Sequence, residues 1–174
     1  MRGSVTVRMN APADKVWLLI SDVTRIGEFS PETFEAEWLD GVTEAREGAR
    51  FRGHVRRNEK GPIYWTECLV TACNPEREFA FAVRSQPFGL PVAPRNTVKL
   101  SWTYVLDEVP GGTRVTESFQ LADTFPMRLY WAVLGWIRGP RLERDMRRTL
   151  QAIKSVVEDE TTTKEERAAH EADY

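Results

Sequence analysis

Two periodicities near the end of this chain restrict what it can fold into. Val98, Leu100, Trp102, Tyr104 and Leu106 place a large apolar group at every second position. Leu142, Met146, Leu150, Ile153 and Val157 then recur at intervals of three or four. The first period belongs to a strand with one buried face, the second to a helix with one apolar stripe. Each needs a partner to cover its apolar side, and the simplest arrangement lets them cover each other. The fold class is therefore α+β, a curved antiparallel sheet wrapped on a long C-terminal helix, with an apolar space between the two.

The rest of the chain supplies the remaining strands. Residues 4–9 alternate through Val5, Val7 and Met9. Pro12 and Asp14 suit a helix start, and Val16, Trp17, Leu19 and Ile20 give that helix a buried stripe. Residues 22–29 read as a second short helix, stopped by Ser30-Pro31. Strands are expected at 34–39, 49–57, 63–72, 78–85, 96–107 and 113–121, which makes about seven in all. The last two form a hairpin around Pro110-Gly111-Gly112. The terminal helix should begin near Pro126 or Met127 and kink or restart at Pro140.

At 174 residues with 41% apolar and 29% charged side chains, the chain suits one soluble domain. The expected division is a ligand-binding domain at 1–158 and an acidic, flexible tail at 159–174. Residues 158–174 carry seven acidic side chains against Lys164 and Arg167, so the body holds the modest positive balance. That balance is scattered, which argues against a nucleic-acid surface. Cys68 and Cys73 are five apart, which sets them on opposite faces of a regular strand and disfavours a disulfide. With no signal-like start and no run of eighteen apolar residues, the expected location is the cytoplasm.

Several segments carry a family resemblance. They are the opening Val7-Arg8-Met9-Asn10-Ala11-Pro12-Ala13-Asp14-Lys15-Val16-Trp17, then Gly48-Ala49-Arg50-Phe51 and Thr71-Ala72-Cys73-Asn74-Pro75. Trp102-Thr103-Tyr104 and Gly111-Gly112-Thr113-Arg114-Val115-Thr116-Glu117 come later. Together with the element order, residues 2–158 resemble the START/birch-allergen-like helix-grip superfamily (SRPBCC), above all its polyketide cyclase/dehydrase and lipid-transport branch. The resemblance implies an internal pocket between sheet and last helix, gated by loops at one end. The coenzyme-Q-binding and ribosome-associated-toxin branches share the frame.

The inward strand phase supplies the candidate ligand contacts: Phe51, Val55, Tyr64, Thr66, Cys68, Phe79, Phe81, Val83, Leu100, Trp102, Tyr104, Glu117 and Phe119. Met146 and Leu150 face them from the helix, with Trp136 and Phe88 from neighbouring segments. Core residues and pocket lining look alike in sequence, so both roles stay open for each. Glu117 stands out because it is in phase with Val115 and Phe119. A buried carboxylate needs a partner or becomes neutral. It is either an anchor or general acid for a ligand, or one half of a structural ion pair with Arg84, Arg138, Arg141 or Arg144. Tyr104 and Tyr64 are weaker candidates for acid–base work.

His54 alternates with Arg52 and Arg56 on the solvent side, and His170 lies in the tail, so neither can activate a nucleophile. Two His and two Cys so placed cannot converge on zinc, no phosphate loop is present, and no cofactor is expected. Residues 86–94, with three prolines and exposed Phe88, Leu90 and Val92, suit a pocket gate or a loop folded on the sheet edge. Residues 125–137 are apolar on all sides and suit burial, subunit pairing or transient membrane contact. Monomer and homodimer are equally compatible. The expected function is binding, and in some settings transport, of a hydrophobic or aromatic small molecule such as a lipid or polyketide. A cofactor-independent cyclase/dehydratase is the alternative. A ribosome-associated or toxin-like interaction protein using Arg50, Arg52, Arg56 and Arg57 is a third.

Overall fold

The computed structural model describes residues 2–56, 62–84, 100–122 and 140–162. Strand β1 spans Arg2–Met9 and turns at Pro12 into helix α1, Ala13–Ser21, which buries Ala13, Val16, Leu19 and Ile20. The second short helix expected at 22–29 is in fact two pieces. Asp22 breaks away from helical geometry, and its carboxylate accepts hydrogen bonds from the Thr24 backbone N–H at 3.1 Å and the Thr24 hydroxyl at 2.6 Å. That cap starts a 3-10 turn, Val23–Arg25, which passes into α2, Ile26–Phe29. An Asp that satisfies nearby backbone donors favours a fresh start over a continued helix.

Six strands follow: β2 Thr33–Trp38, β3 Arg50–Arg56, β4 Ile63–Asn74, β5 Glu78–Val83, β6 Leu100–Val109 and β7 Gly112–Leu121. They form one antiparallel sheet in the order β1-β7-β6-β5-β4-β3-β2, so β1 and β2 are its edges. Residues 140–162 are helical and are called α3. The expected start near Pro126 and the kink at Pro140 involve residues outside those described. The chain thus has the helix-grip plan that its periodicities required.

The inward phase holds across the sheet. One row runs Phe51, Cys68, Val83 and Leu100; the next runs Val70, Phe81, Trp102 and Phe119; a third runs Phe79, Tyr104, Glu117 and Val5. Met146, Leu150, Ile153 and Val157 of α3 are buried in the same core. Leu150 is fully covered, so Leu150→Ala should cost about 2–5 kcal/mol through lost contacts and the cavity left behind. The far end of α3 is tied to the end of β1 and the residue after it: Lys154 Nζ donates to the Arg8 carbonyl at 2.9 Å, and Glu158 Oε1 accepts from the Asn10 N–H at 2.6 Å.

The cysteines depart from expectation. A bulge between Val70 and Ala72 inserts one residue into β4, so Cys73 pairs with Phe79 and returns to the inner side. Cys68 and Cys73 therefore share a face, and both are free thiols. Burial lifts the Cys68 thiol to about 12, which keeps it protonated and unreactive.

A buried acid–phenol pair on the concave face

The β6–β7 hairpin is closed by Pro110 and Gly111, with Val109 paired to Gly112. Gly111 has φ 78°, a value that glycine adopts freely and that the third position of a Pro-Gly turn requires. This register sets Tyr104 directly opposite Glu117. The Tyr104 hydroxyl donates to Glu117 Oε1 at 2.9 Å, and both side chains are buried. Glu117 Oε2 is buried with no hydrogen-bond partner among the described residues.

Of the expected arginine partners, Arg84 and Arg141 do not meet that oxygen, Arg144 is exposed on the far side of α3, and Arg138 lies outside the described residues. The partner is instead a neutral phenol one strand away. Burial pushes Glu117 up to about 8, against the opposing pull of the Tyr104 hydrogen bond. Burial, reinforced by the neighbouring Glu117, holds the Tyr104 phenol well above its ordinary value. At neutral pH the pair is therefore an uncharged acid beside an uncharged phenol. In that state Oε2 carries, or can carry, a proton that no described residue receives.

Tyr104 also lines a small cavity between sheet and helices. Its walls are Leu19 and Ile20 of α1, Asp22, Val23, Ile26 and Phe29 of the segment that follows, Phe79 and Phe81 of β5, and Thr149 and Ile153 of α3. Its volume of about 20 Å3 has room for about one water molecule, so a larger ligand needs more of the concave face than these residues enclose.

Of the expected contact residues, Phe51, Val55, Thr66, Cys68, Phe79, Phe81, Val83, Tyr104, Glu117, Phe119, Met146 and Leu150 are buried. Tyr64, Leu100 and Trp102 are half-buried. Phe88 and Trp136 lie outside the described residues, as does the expected gate at 86–94. The cavity gathers only Phe79, Phe81 and Tyr104 from that set. Its helical walls were missed as a site. Leu19 and Ile20 were legible as a buried stripe, but nothing in their spacing says that they overhang Tyr104.

The outer face is different. His54 sits there as expected, with Nδ1 2.7 Å from Glu35 Oε1 and its ring stacked on Trp65 at 4.5 Å. Arg50 is held by Asp40 at 2.8 Å and Glu67 at 2.9 Å, while Arg52 pairs with Glu37 and lies over the Trp65 ring. Among the described residues no cluster of His, Cys, Asp and Glu could hold a metal, and no helix is long and apolar enough to cross a membrane.

An open antiparallel sheet gripping a C-terminal helix, with a polar pair buried in its apolar concavity, defines a helix-grip protein. Residues 2–158 match the family described as polyketide cyclase/dehydrase and lipid transport, and the chain belongs to that family. Among solved structures it is similar to a protein of Nitrosomonas europaea, at 12% identity over 93% of this chain and 97% of the other, with a TM-score of 0.63. A protein of Arthrobacter aurescens gives 17% identity over 91% and 86%, with a TM-score of 0.63. The di-domain ARO/CYC protein BexL of the BE-7585A biosynthetic pathway gives 21% identity and a TM-score of 0.63, over 91% of this chain and 50% of BexL. These likenesses concern the fold. No curated protein matches the sequence.

Proposed function

We propose that the chain binds a hydrophobic or aromatic small molecule, such as a lipid or polyketide, against the concave face, with the Glu117–Tyr104 pair as its polar anchor. The observation that carries this reading is the open position on Glu117 Oε2, buried in an otherwise apolar surface. Apolar pockets commonly hold their ligands by packing and orient them with a few placed polar groups. A neutral carboxyl offers a donor to a ligand carbonyl, and the Tyr104 oxygen retains acceptor capacity toward a ligand hydroxyl. The family description, which joins cyclases with lipid transport, supports the same class of ligand. Phe51, Phe81, Val83, Trp102, Phe119, Met146 and Leu150 are the apolar surface on which such a ligand would pack.

One observation favours a second reading. A carboxyl titrating at about 8 is poised to exchange protons near neutral pH, which suits a general acid in a cofactor-independent cyclase or dehydratase. The third reading, a partner surface on the sheet arginines, gains nothing from Arg50 and Arg52, because carboxylates already hold both.

Mass spectrometry of the organic extract of the purified protein tests the main reading. A stoichiometric apolar compound is expected, lost in a Phe81→Ala, Trp102→Ala variant that remains folded. An empty extract, with no binding from fatty acids, quinones or polyphenols, would overturn it. Glu117→Gln then separates carrier from enzyme: binding survives in both cases, and turnover is lost only if Glu117 moves a proton.

A further inference from the structure

Beside Tyr104, the buried polar side chains among the described residues are Ser21, Thr66, Thr113, Thr149 and Glu117. The four hydroxyls donate to carbonyl oxygens of the chain itself: Ser21 to Trp17, Thr66 to Gly53, Thr113 to Ala11 and Thr149 to Asp145. Glu117 is the single carboxyl in this set, and no described lysine or arginine is buried with it. Arg84 follows Val83 onto the outer side of the sheet, where its backbone N–H continues the ladder to the Glu67 carbonyl. Arg141, Arg144, Arg147 and Arg148 of α3 are exposed, and Lys154 is held by the Arg8 carbonyl and Glu158.

The cavity beside Tyr104 repeats the sign. Its one charged wall residue is a second acid, Asp22, whose Oδ1 already accepts from Thr24. Around Glu117 itself, β6 offers the Tyr104 hydroxyl and β1 offers Val5, while α3 sends Met146, Leu150 and Ile153 into the same core. A cation within reach would pull the Glu117 carboxyl down, whereas burial lifts it to about 8.

This arrangement treats two kinds of apolar ligand differently. A carboxylate head group would bring a negative charge into apolar surroundings that hold an acid and a phenol. Burying that charge without a cation is costly, so the head group must first take up a proton. A carboxylic acid with an ordinary value of about 4.3 is protonated in only about one molecule in 500 at pH 7, and its binding is weakened accordingly. A ketone, ester or quinone oxygen carries no charge and accepts a hydrogen bond as it stands.

We propose that the Glu117–Tyr104 pair is a charge filter: the concave face takes apolar ligands with an uncharged carbonyl head and rejects carboxylate-headed ones, fatty-acid anions included. This selectivity rests on the binding reading above and narrows it to a ligand class. The filter depends on the Glu117 proton. Once that proton leaves, Oε2 donates no hydrogen bond and carbonyl ligands lose their anchor.

Isothermal titration with 2-undecanone and undecanoic acid, equal in carbon count and different in head group, tests it. At neutral pH the ketone should bind, and the acid should bind about a hundredfold more weakly or worse. The acid should gain about tenfold for each unit that pH falls toward 5, where the ketone stays constant. Ketone binding should weaken as pH rises above about 8 in the parent and persist in Glu117→Gln, whose amide keeps a donor at any pH. Acid binding as tight as ketone binding at neutral pH, or the same alkaline loss in Glu117→Gln as in the parent, would overturn the filter and leave the binding reading standing. Binding of neither compound would overturn the two together.

Discussion

Glu117 and Asp40 hold the same functional group at the same sheet, yet their surroundings drive them in opposite directions. Asp40 lies on the solvent side beside the Arg50 guanidinium, whose hydrogen bonds hold its carboxyl below the ordinary value. Glu117 lies on the concave side, where burial outweighs its one hydrogen bond and lifts it to about 8. What separates them is dielectric and partner, not residue type. On the outside, acids and arginines neutralise one another in water, a lattice that contributes little to stability. On the inside, one acid is left uncharged with an open oxygen, where a ligand would feel it most.

The largest effect should come from making the inner face resemble the outer. Glu117→Lys places an ammonium where no described carboxylate can meet it, and should lower the unfolding free energy by about 3–5 kcal/mol in urea titrations. A loss below that of an exposed substitution would show that the site is wet.

Stability against pH comes next. The folded chain keeps the Glu117 proton up to about 8, whereas the unfolded chain releases it near 4.5. The folded state thus binds the extra proton between those values, and stability falls as pH rises through that window. The slope should approach about 1.4 kcal/mol per pH unit at its steepest, and Glu117→Gln should remove it. Asp40 acts in the opposite sense: its contribution is present above its ordinary 3.8 and is lost only as pH falls below that value.

Tyr104→Phe should cost about 1–3 kcal/mol by leaving Glu117 Oε1 without its donor. It should also raise the Glu117 titration further, since that hydrogen bond pulls it down. A lowered titration in this variant would break the argument. Smallest of all, Glu37→Gln on the outer face should change stability by at most about 1 kcal/mol, because its pair with Arg52 is half in water.

Much of this comparison was readable in the residues. Alternation placed Glu117 inward because β7 pairs with β6 without a register shift from Gly112 to Leu121. Its partner was not readable. A three-residue turn at Pro110-Gly111-Gly112 would slip the register and set Ser118 opposite Tyr104. The actual turn has two residues, since Gly112 already pairs with Val109, and Glu117 takes that place. Cys73 was misplaced for a similar reason: a bulge of one residue leaves no mark in the hydrophobic pattern, yet it flips every side chain after it. The cavity walls from α1 and α2 depend on how helices settle on the sheet, which spacing along the chain does not encode.

The protonation of Glu117 underlies both the anchor and the acid readings, so its direct titration is the decisive measurement. Carboxyl carbon NMR, with the Glu117 signal assigned from the Glu117→Gln variant, should give a midpoint at about 8 and a side chain still protonated at neutral pH. A midpoint near the ordinary 4.5 would mean a charged, solvated or ion-paired carboxylate, and would contradict the account of the concave face.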